Sequence, residues 1–207
     1  MVLVAFLLLS GLVIVGVETV GYFRGGYDSA FWRLPLDAKL DHVVAHRWEW
    51  WWISVWGLIG MFVITGGMVG LGYLLAEAGE PVLAAVAVGG YLVAAVTWVF
   101  GLIIQAAAVS EAAKQRADSA ETPAWLHPLW NGAFFAELSW ISGANVAYAL
   151  IGVAILRTDL VPGWAGWVTL IAGIAIVAGV LITRDGFPQL GYLPPAVIAI
   201  ALLIEAA

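Results

Sequence analysis

The feature that most constrains this chain is the recurrence of long, almost uncharged apolar runs. They fall at residues 1–20, 50–75, 81–109, 130–156, 162–182 and 188–207. Each is about the length an α-helix needs to cross a hydrocarbon core of roughly 30 Å. Only 11% of the 207 residues are charged and 63% are hydrophobic, whereas a soluble domain carries about 25% charged residues. Too few charges remain to build a water-facing surface, so the bilayer is the solvent. Strands of a membrane barrel would alternate apolar and polar residues, and stretches such as 84–96 do not. The sequence predicts one membrane domain over 1–207, an all-α, polytopic helical bundle of about six transmembrane helices.

Composition also removes several kinds of chemistry. There is no cysteine, which excludes disulfides, thiolate zinc sites, iron–sulfur clusters and cysteine nucleophiles. A net charge of −6 without a basic patch argues against nucleic acid, whose binding needs clustered Lys and Arg. The first apolar run has no basic n-region and exceeds the roughly 7–15 residues of a signal-peptide core, so it is expected to be a membrane helix. Pro81, Pro162 and Pro188 each stand where a helix can begin, because the missing N–H is one that the first turn leaves unpaired. Pro194-Pro195 falls inside the last run and predicts a kink or a start there. A start at Pro195 leaves about 13 residues, roughly 20 Å of helix.

Seven of the eight Lys and Arg lie in the first, third and fifth connections: Arg24, Arg33, Lys39, Arg47, Lys114, Arg116 and Arg184. Only Arg157 lies in the others. The positive-inside rule then predicts cytoplasmic odd-numbered connections and both termini outside. Trp164 and Trp167 are expected in the outer aromatic belt, and Trp48, Trp50, Trp51, Trp52, Trp125 and Trp130 in the inner one. Residues 35–49 read as an interfacial helix, N-capped by Asp37, that leads into the second crossing. No internal repeat of the kind many transporters carry is visible.

Several residues are candidates for chemistry. His42, His46 and Glu49 are spaced i, i+4, i+7, which on a continuous helix places two imidazoles and a carboxylate on one face. Such a set suits a divalent metal or a proton relay, or an ordinary polar interfacial face. Trp56 and Gly60 continue that stripe into the membrane. Glu137 lies about two turns inside the fourth run, where a carboxylate is expensive and suggests function. Asn131, Ser142, Asn145 and Tyr148 fall within about 140° of it at 100° per residue, a polar stripe that must face the bundle or a cavity. The alternative is interhelical hydrogen bonding, at about 0.6–2 kcal/mol per contact. Gln105 follows Thr97 and Gly101 down the third crossing, with Glu111 beyond it, and Glu18 ends the first.

Under the orientation above, Glu18, His42, His46, Glu49, Gln105, Glu111, His127 and Glu137 share the cytoplasmic half. One inward-facing polar pocket walled by crossings one to four is therefore expected. Glu137, Asn145, Tyr148, Gln105, Trp56 and Glu18 are its ligand-binding candidates, and His42, His46 and Glu49 its metal candidates. All three histidines sit at the membrane edge, which argues against haem held between facing helices. Lys39 and Lys114 lie in connections, which excludes a retinal Schiff base. Gly66-x-x-x-Gly70, with Gly67, forms a small-residue surface for close helix approach within the chain or between protomers.

The segment 147–167, Ala-Tyr-Ala-Leu-Ile-Gly-Val-Ala-Ile-Leu-Arg-Thr-Asp-Leu-Val-Pro-Gly-Trp-Ala-Gly-Trp, precedes an Ala/Gly/Ile-rich helix. It resembles a bacterial and archaeal membrane family known as domain of unknown function 4386. The likeness covers about 50 residues together with helix number and length. It implies a six- or seven-helix bundle and carries no activity to transfer. Three expectations follow for function: a protein that binds or carries a small lipophilic or amphipathic ligand in the polar pocket, a membrane-embedded enzyme with a His/Glu or metal site, or a structural subunit of a homo-oligomer or membrane complex.

Overall fold

The computed structural model of the chain describes residues 1–183 and 191–207. Arg184 and the Gly186-Phe187-Pro188 turn lie outside the described residues. The chain runs α1 (Val2–Gly25), α2 (Ser29–Arg33), α3 (Leu36–Ala45), α4 (Arg47–Glu77), α5 (Pro81–Ile103), a π-helical stretch (Ile104–Val109), α6 (Ser110–Ser119), α7 (Leu126–Leu156), α8 (Gly163–Thr183) and α9 (Leu193–Ala206). Five helical stretches among the described residues, α1, α4, α5 with its continuation, α7 and α8, are long and apolar enough to cross a membrane. The chain is a helical membrane protein. α9, Leu193–Ala206, is shorter and carries Pro194 and Pro195 in its first turn.

The principal contacts close a ring. α1 packs on α4, α4 on α5, α5 on α7, α7 on α8, α8 on α9, and α9 back on α1. Helices pack 8–10 Å apart, so opposite axes of a regular six-membered ring would lie about 18 Å apart. Side chains must fill that centre. Met61, Ile64 and Met68 of α4, Tyr91 of α5, Trp140 and Tyr148 of α7 and Ile198 of α9 are all buried in this one core. The lipid-facing sides carry Phe6, Phe62, Val93, Phe100, Ile171 and Leu181, each more than half exposed in the isolated chain, as an apolar solvent allows.

Glycines set how closely the ring closes. A Cβ on Gly152 of α7 would lie 2.6 Å from the backbone nitrogen of Leu170 on α8, and one on Gly173 would lie 2.5 Å from the Asn145 carbonyl. Backbone touches backbone at that seam, leaving no flexible side chain to yield. Along α1 and α4, Gly67 faces Leu8 and Gly70 faces Val4, whereas Gly66 meets only the tip of Leu7 at 4.0 Å. The small-residue surface foreseen at Gly66 and Gly70 thus works inside the chain, through Gly67 and Gly70.

Ion pairs fasten the two ends. Arg157 pairs with Glu80 at one end. At the other, Arg116 of α6 reaches Asp41 of α3 through both Nε and Nη2. α5, the π stretch and α6 form one continuous helix, Pro81–Ser119, about 58 Å long at 1.5 Å per residue. Its far end projects beyond the membrane to meet α3.

Gly152→Ala should lower stability by about 1–3 kcal/mol through overpacking, read as a fall in Tm. Gly90→Ala, whose new Cβ meets nothing within 4 Å, should retain or raise Tm because alanine favours helix.

Candidate functional site

Glu18, on the last turns of α1, is the most unusual side chain in the membrane-spanning region. It is only 6% exposed, and among the described residues no hydrogen bond or ion pair reaches its carboxylate. It lies over Gly57 of α4, where a Cβ would stand 3.2 Å from Oε1. The absent side chain makes the room the carboxylate occupies. Glu137 of α7, across the ring, lies within electrostatic range of Glu18. Tyr22 of α1 and Tyr192, which precedes α9, lie within range of both carboxylates. An ionised carboxylate buried at this depth is costly unless something compensates it.

A second polar tier lies deeper. Eleven residues, about three turns, bring Tyr148 back to within about 20° of Glu137 on α7 and some 16 Å along its axis. Tyr148 packs on Tyr91 of α5 with ring centroids 5.8 Å apart, and Tyr91 meets Trp140 edge-on at 5.5 Å. The Tyr91 hydroxyl is approached by those of Thr65 and Tyr148 without meeting hydrogen-bond geometry to either. Trp140 Nε1, Asn145 Oδ1, the Tyr148 hydroxyl and Thr169 Oγ1 are likewise buried without a partner among the described residues. Asn145 spends its Nδ2 on the Ile141 carbonyl of its own helix, at 2.7 Å. Each unpaired buried group costs about 1–3 kcal/mol. Tyr192 lies within electrostatic range of Glu18, Glu137 and Tyr91, and so joins the two tiers.

The other candidates are distributed differently. Trp56 stacks obliquely on Trp52 at 5.5 Å, while Trp52 Nε1 donates to the Val17 carbonyl across the seam of α1 with α4. Gln105 is buried, and its carbonyl, displaced from regular α-helical bonding by the π stretch, accepts from Trp50 Nε1 at 2.9 Å. Trp50 is 2% exposed, inside the structure rather than in an aromatic belt. Trp48, Trp51 and Trp125 are exposed at that end of the bundle and Trp164 and Trp167 at the other, as a belt requires.

His42, His46 and Glu49 do not share one continuous helix. α3 ends at Ala45, His46 is the turn residue, and α4 starts at Arg47, so the i, i+4, i+7 register breaks before Glu49. His42 Nε2 is 2.6 Å from the Gly25 carbonyl at the C-terminus of α1, where a ring N–H closes an otherwise open helix end. The His46 ring stacks on His42 with its Nδ1 on the His42 carbonyl. Tyr27 donates to the His46 carbonyl and packs on His42 and Trp50. Among the described residues no three of His, Asp and Glu gather as a metal ion would need. Asp37 was expected to cap α3, yet Pro35 holds the cap position. Asp37 instead accepts from Thr122 Oγ1 at 2.6 Å, inside the clasp around Arg116.

Sequence reasoning found Glu18, Glu137, Asn145 and Tyr148 but missed Tyr22, Tyr91, Trp140, Thr169 and Tyr192. The pocket was expected from crossings one to four, whereas Tyr192, just before α9, lies within electrostatic range of both carboxylates. A tyrosine or threonine in an apolar run looks like packing until its neighbours are known. No family model, curated protein or solved structure matches the chain.

The clasp outside the membrane gives a pH prediction. The Arg116 guanidinium beside Asp41 holds its carboxyl below the ordinary value of 3.8. A depressed carboxylate stabilises the fold above that ordinary value and loses the contribution as pH falls through its lower folded value. Hydrogen exchange of residues 120–125, which Arg116 also holds through the Ala120 carbonyl and Thr122, should quicken in Arg116→Ala at neutral pH. In the unaltered protein, Trp125 fluorescence should stay constant from neutral pH down to about pH 4 and change only below it.

Proposed function

We propose that this protein is a cell-membrane protein that binds, and by extension carries or senses, a small amphipathic ligand with a cationic head. In this reading the head sits between Glu18 and Glu137, and the odd-numbered connections and the site face the cytoplasm. The observation that carries it is Glu18: a carboxylate 6% exposed, without a hydrogen bond or ion pair among the described residues, facing a second carboxylate. A cation there offsets the cost of burying the Glu18 carboxylate, which an anionic ligand cannot do. Tyr22 and Tyr192 border that position and supply aromatic faces that favour a cation. In this reading the ligand's apolar body displaces packed side chains at the deeper tier of Tyr91, Trp140 and Tyr148, which belong to the core and whose hydroxyls and indole N–H have no partner among the described residues.

The first probe is n-decylammonium, compared with decanol and decanoate, against the purified protein in lipid nanodiscs. At ten times its Kd a ligand specific for the folded state adds about 1.4 kcal/mol, which raises Tm by roughly 3–6 °C for a chain of this size. Decylammonium should give that rise and the other two should not. Glu18→Gln should abolish the response while leaving the apo Tm unchanged or higher, because it removes a buried charge. Equal responses to decylammonium and decanol, or an undiminished response in Glu18→Gln, would sink the reading.

A further inference from the structure

At the seam between α1 and α4, an open recess of about 60 Å³ is lined by Val20, Gly21, Arg24, Trp48, Glu49 and Trp52. It lies at the end of the bundle where α1 finishes and α4 starts, the level of the exposed rings of Phe23, Trp48 and Trp51. Trp48 and Trp51 stack at 5.1 Å. Exposed aromatic rings at a helix end mark the headgroup layer.

The charges in this recess are unspent. Arg116 is held by Asp41, Arg157 by Glu80 and Lys114 by Glu111, and Lys39 lies over the Trp130 ring at 5.1 Å. Among the described residues Arg24 has no hydrogen bond, ion pair or ring partner, and neither do the nearby exposed Arg33 and Arg47. Glu49 likewise has no ion pair or hydrogen bond. Arg24 and Glu49 thus line one recess, carry opposite charges, and do not pair with each other. What fits between two separated, opposite, unpaired charges is a dipolar ion of reversed sense.

We propose that this recess is a binding site for a phospholipid with a phosphoethanolamine headgroup, whose phosphate meets Arg24, whose primary ammonium meets Glu49, and whose chains descend the α1/α4 groove past Val20. A guanidinium presents its N–H fork to phosphate oxygens, and an ammonium with three N–H donors satisfies a carboxylate as a trimethylammonium cannot. A purely anionic headgroup would bring a second negative charge against Glu49. The site is separate from the Glu18–Glu137 centre, and neither depends on the other.

Native mass spectrometry of the purified protein, exchanged into equal mixtures of ethanolamine, choline and glycerol phospholipids with identical chains, tests it. The unaltered protein should retain the ethanolamine lipid at least about fivefold over the other two, a difference of roughly 1 kcal/mol. Arg24→Gln should lose retention of all three. Glu49→Gln should keep a bound phospholipid while losing the preference between ethanolamine and choline. Equal retention of ethanolamine and choline lipids by the unaltered protein overturns the proposal, whether or not either variant folds. So does preference for the glycerol lipid, which would mark a generic anion site on the free arginines, and so does an unchanged ethanolamine preference in Arg24→Gln.

Discussion

The constraint behind this architecture is the absence of water around its middle. Every backbone N–H and C=O within the hydrocarbon must be paired inside its own helix, and helices in lipid gain little from burying apolar surface against one another. Close contact takes over that role. At the α7/α8 seam the backbones touch because Gly152, Gly166 and Gly173 carry nothing that would hold them apart. Along α1 and α4, Gly11, Gly57, Gly60 and Gly67 admit Ile64, Glu18, Val15 and Leu8 from the facing helix. Stability of the ring rests on these contacts, each of which one added methyl group would disturb.

A ring built in this way has an inside, and in lipid the inside is the one refuge for polar groups. Glu18 of α1, Tyr91 of α5, Glu137 and Tyr148 of α7 and Tyr192 before α9 come together in it. The price in stability is visible in the hydroxyls and amide oxygen left without partners among the described residues. Outside the membrane the same chain uses ordinary soluble chemistry. Asp28 caps α2 by accepting from the backbone of Ala30 and Phe31, and Tyr27, Phe31, Trp50 and Leu126 belong to a second core. The two regimes join at Gly25, where the ring of His42 closes the end of α1.

Much of this was legible in the residues. Apolar run length locates the crossings to within a few positions, and Pro81 starts α5 as expected. A carboxylate inside an apolar run draws attention whatever the fold, which is why Glu18 and Glu137 stood out. The misses have physical causes. The period that aligned His42, His46 and Glu49 assumes a continuous helix, and nothing local announces the break at His46, since neither glycine nor proline stands there. Trp50 looks like its neighbours Trp48 and Trp51, yet a hydrogen bond to a carbonyl freed by the π stretch 55 positions later turns it inward. Tyr22, Tyr91 and Tyr192 escape notice because a phenol suits a packed interior as well as a site.

The length of the helix Pro81–Ser119 reaches beyond the bundle. Its 39 residues give about 58 Å of helix, against a hydrocarbon layer of roughly 30 Å. The part outside the lipid is a lever whose tip is tied to α3 through Arg116 and Asp41. A change of tilt within the membrane is thereby carried to α3 and, through His42, to the end of α1.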